Sequence, residues 1–287
     1  MSEGYDALRR EWAWLDLRAR GRILARGRDR ARFLHNVTSN DIKKMKPGDS
    51  CYAFLLSPQG RIQADLWLIC REDHFLIDTD PALREKVRNQ ILHYKVADQI
   101  ELEDVTETTG AIGVEGPRAK PFEMLHTVAP LTITGQPGYR IYFRTELMQG
   151  IVTALEAAGA RPATLEDARI VRIENGGPRY GEDIRDTSLV QETQQTHAVS
   201  FTKGCYIGQE IVERVRAQGH VNKKLVRLEI DGVEPVAPGT KLSGIGEVTS
   251  SVFSPQSGKV AALGYVRTAQ AEPGTVLEAD GRTARVL

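Results

Sequence analysis

Cysteine is scarce in this chain of 287 residues, which contains only Cys51, Cys70 and Cys205. Their spacing is wide and forms no Cys-x-x-Cys pair, which argues against a structural zinc site. The chain also lacks the four thiolates that an iron–sulfur cluster usually needs. No GxSxG, HExxH, P-loop or Rossmann fingerprint occurs. Six histidines show no metal-ligand spacing, and we interpret them as structural or exposed: His35, His74, His93, His126, His197 and His220.

An excess of charge is absent too, because 38 basic residues balance 38 acidic residues. Wrapping of duplex DNA needs a basic excess, so we expect no DNA partner. No apolar segment approaches the roughly 20 residues of a membrane span, and no signal-peptide core is present. We therefore expect a cytoplasmic protein with no membrane partner. Arginines crowd the first part of the chain, from Arg9 to Arg32, and we interpret them as a solvated surface.

The length predicts about two domains, and the first predicts an α+β fold whose order of strands and helices loosely repeats. Asp29 is the predicted N-cap of the first helix, and Pro81 stands at the favoured first position of the second. A tight turn is predicted at Ser57-Pro58-Gln59-Gly60. The predicted strands are residues 14–18, 21–25 (joined to the first around a turn at Gly21), 52–56, 62–70, 75–78, 111–114 and 140–144. The predicted helices are residues 29–36, 81–92, 117–127, 146–158 and 165–175.

Composition changes near Gly219, where short β-like segments begin to alternate with glycine and proline. Short strands with frequent turns are typical of a small barrel. We therefore predict a first domain over residues 1–218 and a C-terminal β-barrel over residues 219–287.

One motif places a cysteine between two glycines and beside a lysine: Lys203-Gly204-Cys205-Tyr206-Ile207-Gly208-Gln209-Glu210. It leads into a helix predicted over residues 209–216. A helix N-terminus favours the thiolate, and Lys203 adds a positive charge, so we expect a lowered pKa for Cys205. Alternatively, the Gly-Cys-aromatic turn only packs a loop against the helix, since buried cysteines are usually inert.

This motif resembles the signature of the YgfZ family, folate-binding accessory proteins for iron–sulfur enzymes. That family is related in fold to the glycine-cleavage T-protein, an aminomethyltransferase. Further blocks resemble the two families in the same order: residues 33–41, Ser57 to Ile62 with Ala64-Asp65-Leu66, Arg172 to Gly176 with Tyr180-Gly181, and residues 246–266. The resemblance implies pseudo-repeated α/β halves around a central folate channel, followed by a β-barrel. It also implies tetrahydrofolate or a one-carbon derivative as ligand, and iron–sulfur client or assembly proteins as partners.

Two carboxylates are candidate site residues on this resemblance. Glu174 would pair with the amino edge of a pterin, or else it is a helix-end carboxylate facing Arg172 or Arg179. Asp65 would lie beside the reacting folate nitrogen, or else it pairs with Arg61 on a strand surface.

Aromatic and cationic side chains complete the candidate site. Trp67 and Tyr206 would stack on the rings of folate, or they belong to the core. An arginine is expected at the carboxylates of the glutamyl tail, and Arg61, Arg214 and Arg216 are candidates. The candidate catalytic residues are Cys205 and Asp65, and the candidate folate-binding residues are Glu174, Asp65, Trp67 and Arg214.

Three functions compete. The leading one is a YgfZ-type accessory protein that binds tetrahydrofolate and supports iron–sulfur cluster assembly or repair through Cys205. The alternative is a folate-dependent aminomethyltransferase, which explains Asp65 but not the cysteine motif. Ala64 and Ile69 stand where the T-protein has an acid and an aromatic residue, which argues against aminomethyl transfer. The third is a scaffold that keeps the fold but has lost folate.

Overall fold

The computed structural model describes residues 2–120 and 127–287. Within these residues the chain forms six α-helices and sixteen strands. The helices are α1 (Glu3–Arg10), α2 (Arg30–Val37), α3 (Arg84–His93), α4 (Met148–Ala157), α5 (Leu165–Glu174) and α6 (Gln209–Gln218). The first ten strands are β1 (Ala13–Asp16), β2 (Gly21–Arg26), β3 (Ser50–Leu56), β4 (Ile62–Cys70), β5 (Phe75–Thr79), β6 (Glu101–Asp104), β7 (Thr109–Glu115), β8 (Thr127–Ala129), β9 (Gly138–Arg144) and β10 (Arg161–Ala163). The last six are β11 (Lys223–Ile230), β12 (Lys241–Leu242), β13 (Gly246–Ser254), β14 (Lys259–Arg267), β15 (Val276–Ala279) and β16 (Arg282–Val286).

The first half of the N-terminal region is a five-stranded antiparallel sheet in the order β3-β4-β5-β2-β6. The alternation in β4 positions the candidate site. Leu66 and Leu68 are buried in the core that the sheet forms with α2 and α3. Because successive side chains of a strand point to opposite faces, Asp65 and Trp67 lie on the other face.

The second half is another five-stranded sheet, in the order β10-β1-β7-β9-β8, in which only the β1–β10 pair is parallel. Ile69 and Leu76 from the first sheet share one buried cluster with Leu15 and Tyr142 from the second. The two halves thus pack on a common core, which confirms the predicted arrangement of repeated α/β halves.

The C-terminal strands close into a barrel in the order β11-β14-β13-β12-β15-β16. Its interior is filled by small and branched apolar side chains such as Ile230, Val248 and Ala262. The barrel confirms the predicted fold class. α6 ends at Gly219, which adopts a left-handed backbone with φ of 72°, and β11 follows at Lys223. The domain boundary after residue 218 stays a prediction.

The turn predicted at Gly21 is wrong, because Gly21 is the first residue of β2; β1 and β2 belong to different sheets. Arg22 holds the connection between them. Its side chain is fully buried, not solvated as predicted for the arginine-rich segment. Its guanidinium donates to the carbonyl oxygens of Leu17, Arg18, Arg20, Thr106 and Thr109.

Apart from the helix predicted over residues 117–127, the predicted helices are found within a few residues of their expected positions. Asp29 is the N-cap of α2, but its carboxylate accepts the backbone N–H of Gln99 at 2.8 Å and not that of the helix. Pro81 opens a short 3₁₀ turn that continues into α3. The helix predicted over residues 117–127 falls largely on residues 121–126, outside the described residues, as does His126.

Candidate functional site

A cavity of about 400 Å³ lies between the two sheets and α5. Asp65 and Trp67 from β4 line it, together with Arg140 from β9. Further lining residues come from the connection after β1, from the residues after β5, from α5, and from the loops at 132–135, 177–180 and 195–197. A wider cleft of about 740 Å³ lies between Arg61 and the barrel residue Arg267, but it opens broadly to solvent. We therefore place the candidate site in the smaller, more enclosed cavity.

Asp65 is held in this cavity by a neighbouring strand. Its Oδ2 accepts a hydrogen bond of 2.8 Å from the hydroxyl of Tyr52 on β3. Burial raises the pKa of Asp65 above its ordinary value, although the Tyr52 hydrogen bond and the positive charge of Arg20 oppose the shift. The predicted alternative partner, Arg61, instead donates to the carbonyl oxygen of Thr187.

Three aromatic rings form one wall of the cavity. The ring centroid of Tyr52 lies 5.1 Å from that of Trp67 and 5.6 Å from that of His197, which stacks on it at 25°. Burial lowers the pKa of His197 below its ordinary value, which favours the neutral imidazole. Trp67 lines the cavity and also packs against the core cluster that contains Ile69 and Leu76, so ring stacking on a ligand stays a prediction.

A buried ionic cluster borders the same cavity. The Asp78 carboxylate accepts hydrogen bonds from Arg20 Nε at 2.6 Å and from the Tyr142 hydroxyl at 2.8 Å. Arg140 Nη1 lies 2.9 Å from Asp78 Oδ2. Burial alone would raise the pKa of Asp78, but Arg140 and Arg20 lower it below its usual range. The Asp78 side chain thus stays ionised although it is fully buried.

Glu174 is not among the described residues that line this cavity. Its carboxylate accepts hydrogen bonds from the Tyr5 hydroxyl at 2.9 Å, from Arg9 Nε at 2.8 Å and from the Ser254 hydroxyl at 2.5 Å. These donors come from α1 and from the barrel. The acceptors of Glu174 are thus engaged where α1, α5 and the barrel meet, which favours a structural role over the predicted pairing with a pterin.

The segment after α5 also fastens the barrel. Asp183 is fully buried, and its Oδ1 accepts hydrogen bonds of 2.6 Å from both Thr249 and Ser250 on β13. Its Oδ2 accepts Arg172 Nη1 at 2.8 Å and the backbone N–H of Arg179 at 3.0 Å. The Arg172–Asp183 block thus joins the α+β region to the barrel.

Lys203 and Tyr206 of the cysteine motif have structural contacts. Lys203 is buried, and its Nζ donates to the carbonyl oxygens of His35, Thr38 and Asn40 at the end of α2. Burial lowers its pKa to about 7. The Lys203 side chain is thus bonded to the end of α2. The sequence had predicted that its charge acts on the Cys205 thiol instead. Tyr206 packs in a core cluster with Phe54 and Val212, outside the cavity, so the structure favours the core alternative over ring stacking.

Cys205 itself is exposed. It precedes Gly208, the N-cap of α6, so the sulfur lies ahead of the helix and not at its first residue. Gly208 has φ of 82° and lies so close to the 57–60 turn that a Cβ would be 2.6 Å from the oxygen of Ser57. Gln209 is half-buried, whereas Glu210 and Arg214 are exposed on α6. None of these motif and helix residues is among the described residues lining the cavity, and this includes the candidate folate ligand Arg214.

Asn40 connects the two regions. Its side-chain amide donates to the carbonyl oxygens of Tyr52 at 2.9 Å and His197 at 3.0 Å. Its own carbonyl oxygen accepts Lys203 Nζ at 2.7 Å. The segment after α2 thus supports both the aromatic wall of the cavity and the loop that carries Cys205.

Sequence reasoning missed Tyr52, His197 and Arg140 as cavity residues. Arg140 carried a usable signal, because it is the one charge of β9 besides Arg144, the last residue of the strand. His197 follows an irregular polar stretch that gave no periodicity to interpret. Tyr52 was assigned to a strand, but its cross-strand neighbours follow only from the register of β3 and β4.

Two absences apply to residues 2–120 and 127–287. They contain no cluster of three or more His, Cys, Asp or Glu side chains arranged to hold a metal ion. None of their helices has the length and apolar character needed to cross a membrane.

Comparison with known proteins gives the same two-part organisation. Residues 1–130 match the GCVT N-terminal domain, and residues 223–287 match the glycine cleavage T-protein C-terminal barrel domain. The aminomethyltransferase of Rippkaea orientalis is 26% identical, with 98% of this chain and 85% of that protein covered. The aminomethyltransferase of Thermus thermophilus is 28% identical, with 98% and 86% covered.

A solved structure has the same fold. The glycine cleavage system aminomethyltransferase T of Bartonella henselae superposes with a TM-score of 0.89 at 20% sequence identity, over 99% of this chain and 87% of that one. These matches coincide with the pair of sheets and the closed barrel described above. The chain is therefore built from a GCVT N-terminal domain and a glycine cleavage T-protein C-terminal barrel, in the fold of an aminomethyltransferase.

Proposed function

We propose that this protein binds a tetrahydrofolate in the cavity between its two sheets and transfers a one-carbon unit to it, as an aminomethyltransferase. The observation that carries the proposal is a half-buried carboxyl group, Asp65, beside a wall of three aromatic rings in one cavity. The relatives named above as aminomethyltransferases cover nearly the whole chain.

The cavity suits a ligand with flat rings. Its volume of about 400 Å³ is within the usual range of about 300–1,000 Å³ for small-molecule sites. Trp67 and His197 offer ring faces for stacking, and Asp65 offers acceptor oxygens to ring nitrogens. When bound, the folate would supply the nitrogen that receives the one-carbon unit.

The role we propose for Asp65 is to hold and release a proton beside that nitrogen. Burial raises the pKa of this carboxyl group toward neutral pH, which makes the group better suited to proton transfer under those conditions. The Tyr52 hydroxyl orients it. Ala64 and Ile69, which differ from the T-protein pattern, are buried in the cores and do not line the cavity. They therefore leave the Asp65–Tyr52 pair in place.

The test is formation of methylenetetrahydrofolate from tetrahydrofolate and an aminomethyl-lipoyl carrier protein. Asp65→Asn should lower the rate by about 10²–10⁴-fold, the usual contribution of a positioned acid or base. Asp186→Asn, at an exposed carboxylate, is the matched control and should retain the wild-type rate. If the wild-type protein binds tetrahydrofolate but forms no product, aminomethyl transfer is refuted and folate binding is retained.

A second candidate function rests on the exposed sulfur of Cys205. We propose as the alternative that the chain is a YgfZ-type accessory protein whose thiol acts on iron–sulfur client or assembly proteins. Support comes from the position of Cys205, which is accessible on a loop anchored by Lys203 and remote from the residues of the cavity.

Complementation in cells separates the two candidates. Cys205→Ser should abolish support of iron–sulfur enzymes but leave folate binding and aminomethyl transfer unchanged. Cys70→Ser, at a buried thiol, is the control for the general effect of losing a cysteine. Full complementation by Cys205→Ser would eliminate the accessory function of this thiol.

A further inference from the structure

Arg140 is a fully buried cation with unused hydrogen-bond donors. Its Nη1 is paired with Asp78 at 2.9 Å, whereas its Nε and Nη2 make no hydrogen bond with any described residue. Buried polar groups in folded proteins are nearly always hydrogen-bonded, and an unpaired one carries a desolvation cost. Arg140 also lines the cavity. Arg140 thus borders the cavity, although its nitrogen atoms are covered by the surrounding protein.

The charges around Arg140 favour an oxygen acceptor. Asp78 is the carboxylate that pairs with it, but Asp78 is shared with Arg20 and with the Tyr142 hydroxyl. Glu115 is the other acid that acts on Arg140, and its oxygens already accept Ile133 N–H, Thr134 N–H and the Thr134 hydroxyl. Burial alone would lower the pKa of Arg140, yet Asp78 raises it, so the guanidinium stays charged.

Four other arginines line the cavity, and each donates to at least one protein acceptor; Arg20 donates to Asp78 through Nε. Arg172 donates to Gly177, Glu182 and Asp183. Arg169 donates to Glu182, and Arg179 donates to Asp80. Of these five arginines, Arg140 is the one with buried donors that have no hydrogen-bond partner among the described residues.

We propose that Arg140 anchors the ligand by donating to a planar oxygen acceptor, an oxo group or a carboxylate. A guanidinium presents its donors in a flat fork that matches such groups. This inference rests on the proposed function, because a tetrahydrofolate offers both sources: the oxo group of the pterin and the carboxylates of the glutamyl tail.

The experiment measures the affinity of three probes by tryptophan fluorescence titration. 5-Formyltetrahydrofolate carries both oxygen sources, 6-methyltetrahydropterin carries only the oxo group, and p-aminobenzoyl-glutamate carries only the carboxylates. Arg140→Lys keeps the positive charge beside Asp78 but removes the fork. The double variant Asp78→Asn/Arg140→Met removes both charges together and avoids leaving one of them buried and unpaired.

Both variants should bind 5-formyltetrahydrofolate about tenfold to hundredfold more weakly, the usual value of a hydrogen bond to a charged group. Arg22→Lys is the matched control, since Arg22 is equally buried but bonded only to protein oxygens and absent from the cavity lining. It should change the affinity less than twofold. Circular dichroism verifies that each variant is folded.

The fragments identify the oxygen source. A loss confined to 6-methyltetrahydropterin assigns the oxo group, and a loss confined to p-aminobenzoyl-glutamate assigns a carboxylate. Wild-type affinity of both Arg140 variants for 5-formyltetrahydrofolate overturns this inference while leaving the proposed function intact. If the wild-type protein takes up none of the probes, the proposed function fails and the inference fails with it.

Discussion

Glu174→Gln separates a structural role from a ligand-binding role at one position. The substitution keeps the shape of the side chain but replaces one acceptor oxygen with an amide donor. In the structure, Oε1 accepts Tyr5 and Ser254, and Oε2 accepts Arg9. If the amide nitrogen takes the place of Oε2, it faces the Arg9 guanidinium, which cannot accept. If it takes the place of Oε1, the Tyr5 and Ser254 hydroxyls must turn to accept from it, and Arg9 keeps only a neutral acceptor.

The size of the effect follows from these contacts. Leaving one buried donor unsatisfied costs about 1–3 kcal/mol. The ion pair with Arg9 is also lost, and both of its side chains are largely buried, with 14% and 3% exposed. We therefore expect a total loss of about 3 kcal/mol of unfolding free energy, since buried pairs broken at one side cost about 3–5 kcal/mol. For a protein of this size the loss corresponds to a fall in Tm of about 6–12 °C.

The assay combines thermal unfolding, followed by circular dichroism, with a tetrahydrofolate titration at a temperature where the variant is folded. Glu174→Gln should lower the Tm but change the folate affinity less than twofold. Glu166→Gln, at an exposed position on the same helix, should change neither quantity by more than the usual surface effect of about 0.5 kcal/mol. An unchanged Tm together with a tenfold or greater loss of folate affinity would refute the structural role and restore the pterin role.

Three further results are expected. Asp65→Asn should raise the Tm at pH 7, and the gain in Tm should vanish below about pH 4. Because the pKa of Asp65 is raised in the folded state, the folded protein keeps this proton at pH values where the unfolded chain loses it. The stability of the wild-type protein therefore falls as the pH rises from the unfolded-state pKa to the folded-state pKa. Lys203→Met should cost about 2–4 kcal/mol in urea unfolding, because three carbonyl oxygens lose their donor; a loss under 0.5 kcal/mol would contradict this. Gly208→Ala should lower the unfolding free energy by about 2 kcal/mol, because this position has a left-handed backbone and lies close to Ser57. Gly204→Ala has open space around it and should leave the unfolding free energy unchanged in the same assay. Equal losses in the two variants would contradict the reasoning.

Local patterns were enough to predict much of the fold. The alternation of residues 62–70 placed Asp65 and Trp67 on one face of a strand, and that face borders the cavity. The glycine-rich and proline-rich C-terminal segments predicted a barrel, because short strands and tight turns are local features. These predictions needed only the period of a strand and the conformations of turn residues.

The errors concern side chains whose partners are distant along the chain. Glu174 is bonded to Tyr5, which is 169 positions earlier, so the sequence around Glu174 gave no indication of its partner. Lys203 was expected to act on the nearby Cys205 thiol, but its acceptors are carbonyl oxygens in the last turn of α2 and just after it. Arg22 was interpreted as solvated because sequence alone does not show the five carbonyl oxygens that surround it. Charged residues are usually exposed, and only tertiary partners make burial tolerable.

The cysteine motif divides into residues that the fold requires and residues that it does not. Lys203 donates to the carbonyl oxygen of Thr38, and Gly208 lies too close to Ser57 to carry a Cβ atom. Cys205 and Gly204 are exposed, and a Cβ at Gly204 would meet no atom within 4 Å. Packing therefore explains why Lys203 and Gly208 stand at their positions, but it does not explain Gly204 and Cys205. Gly204, Cys205 and Glu210 are the exposed residues of this motif, and the small residue beside the sulfur leaves open space next to it.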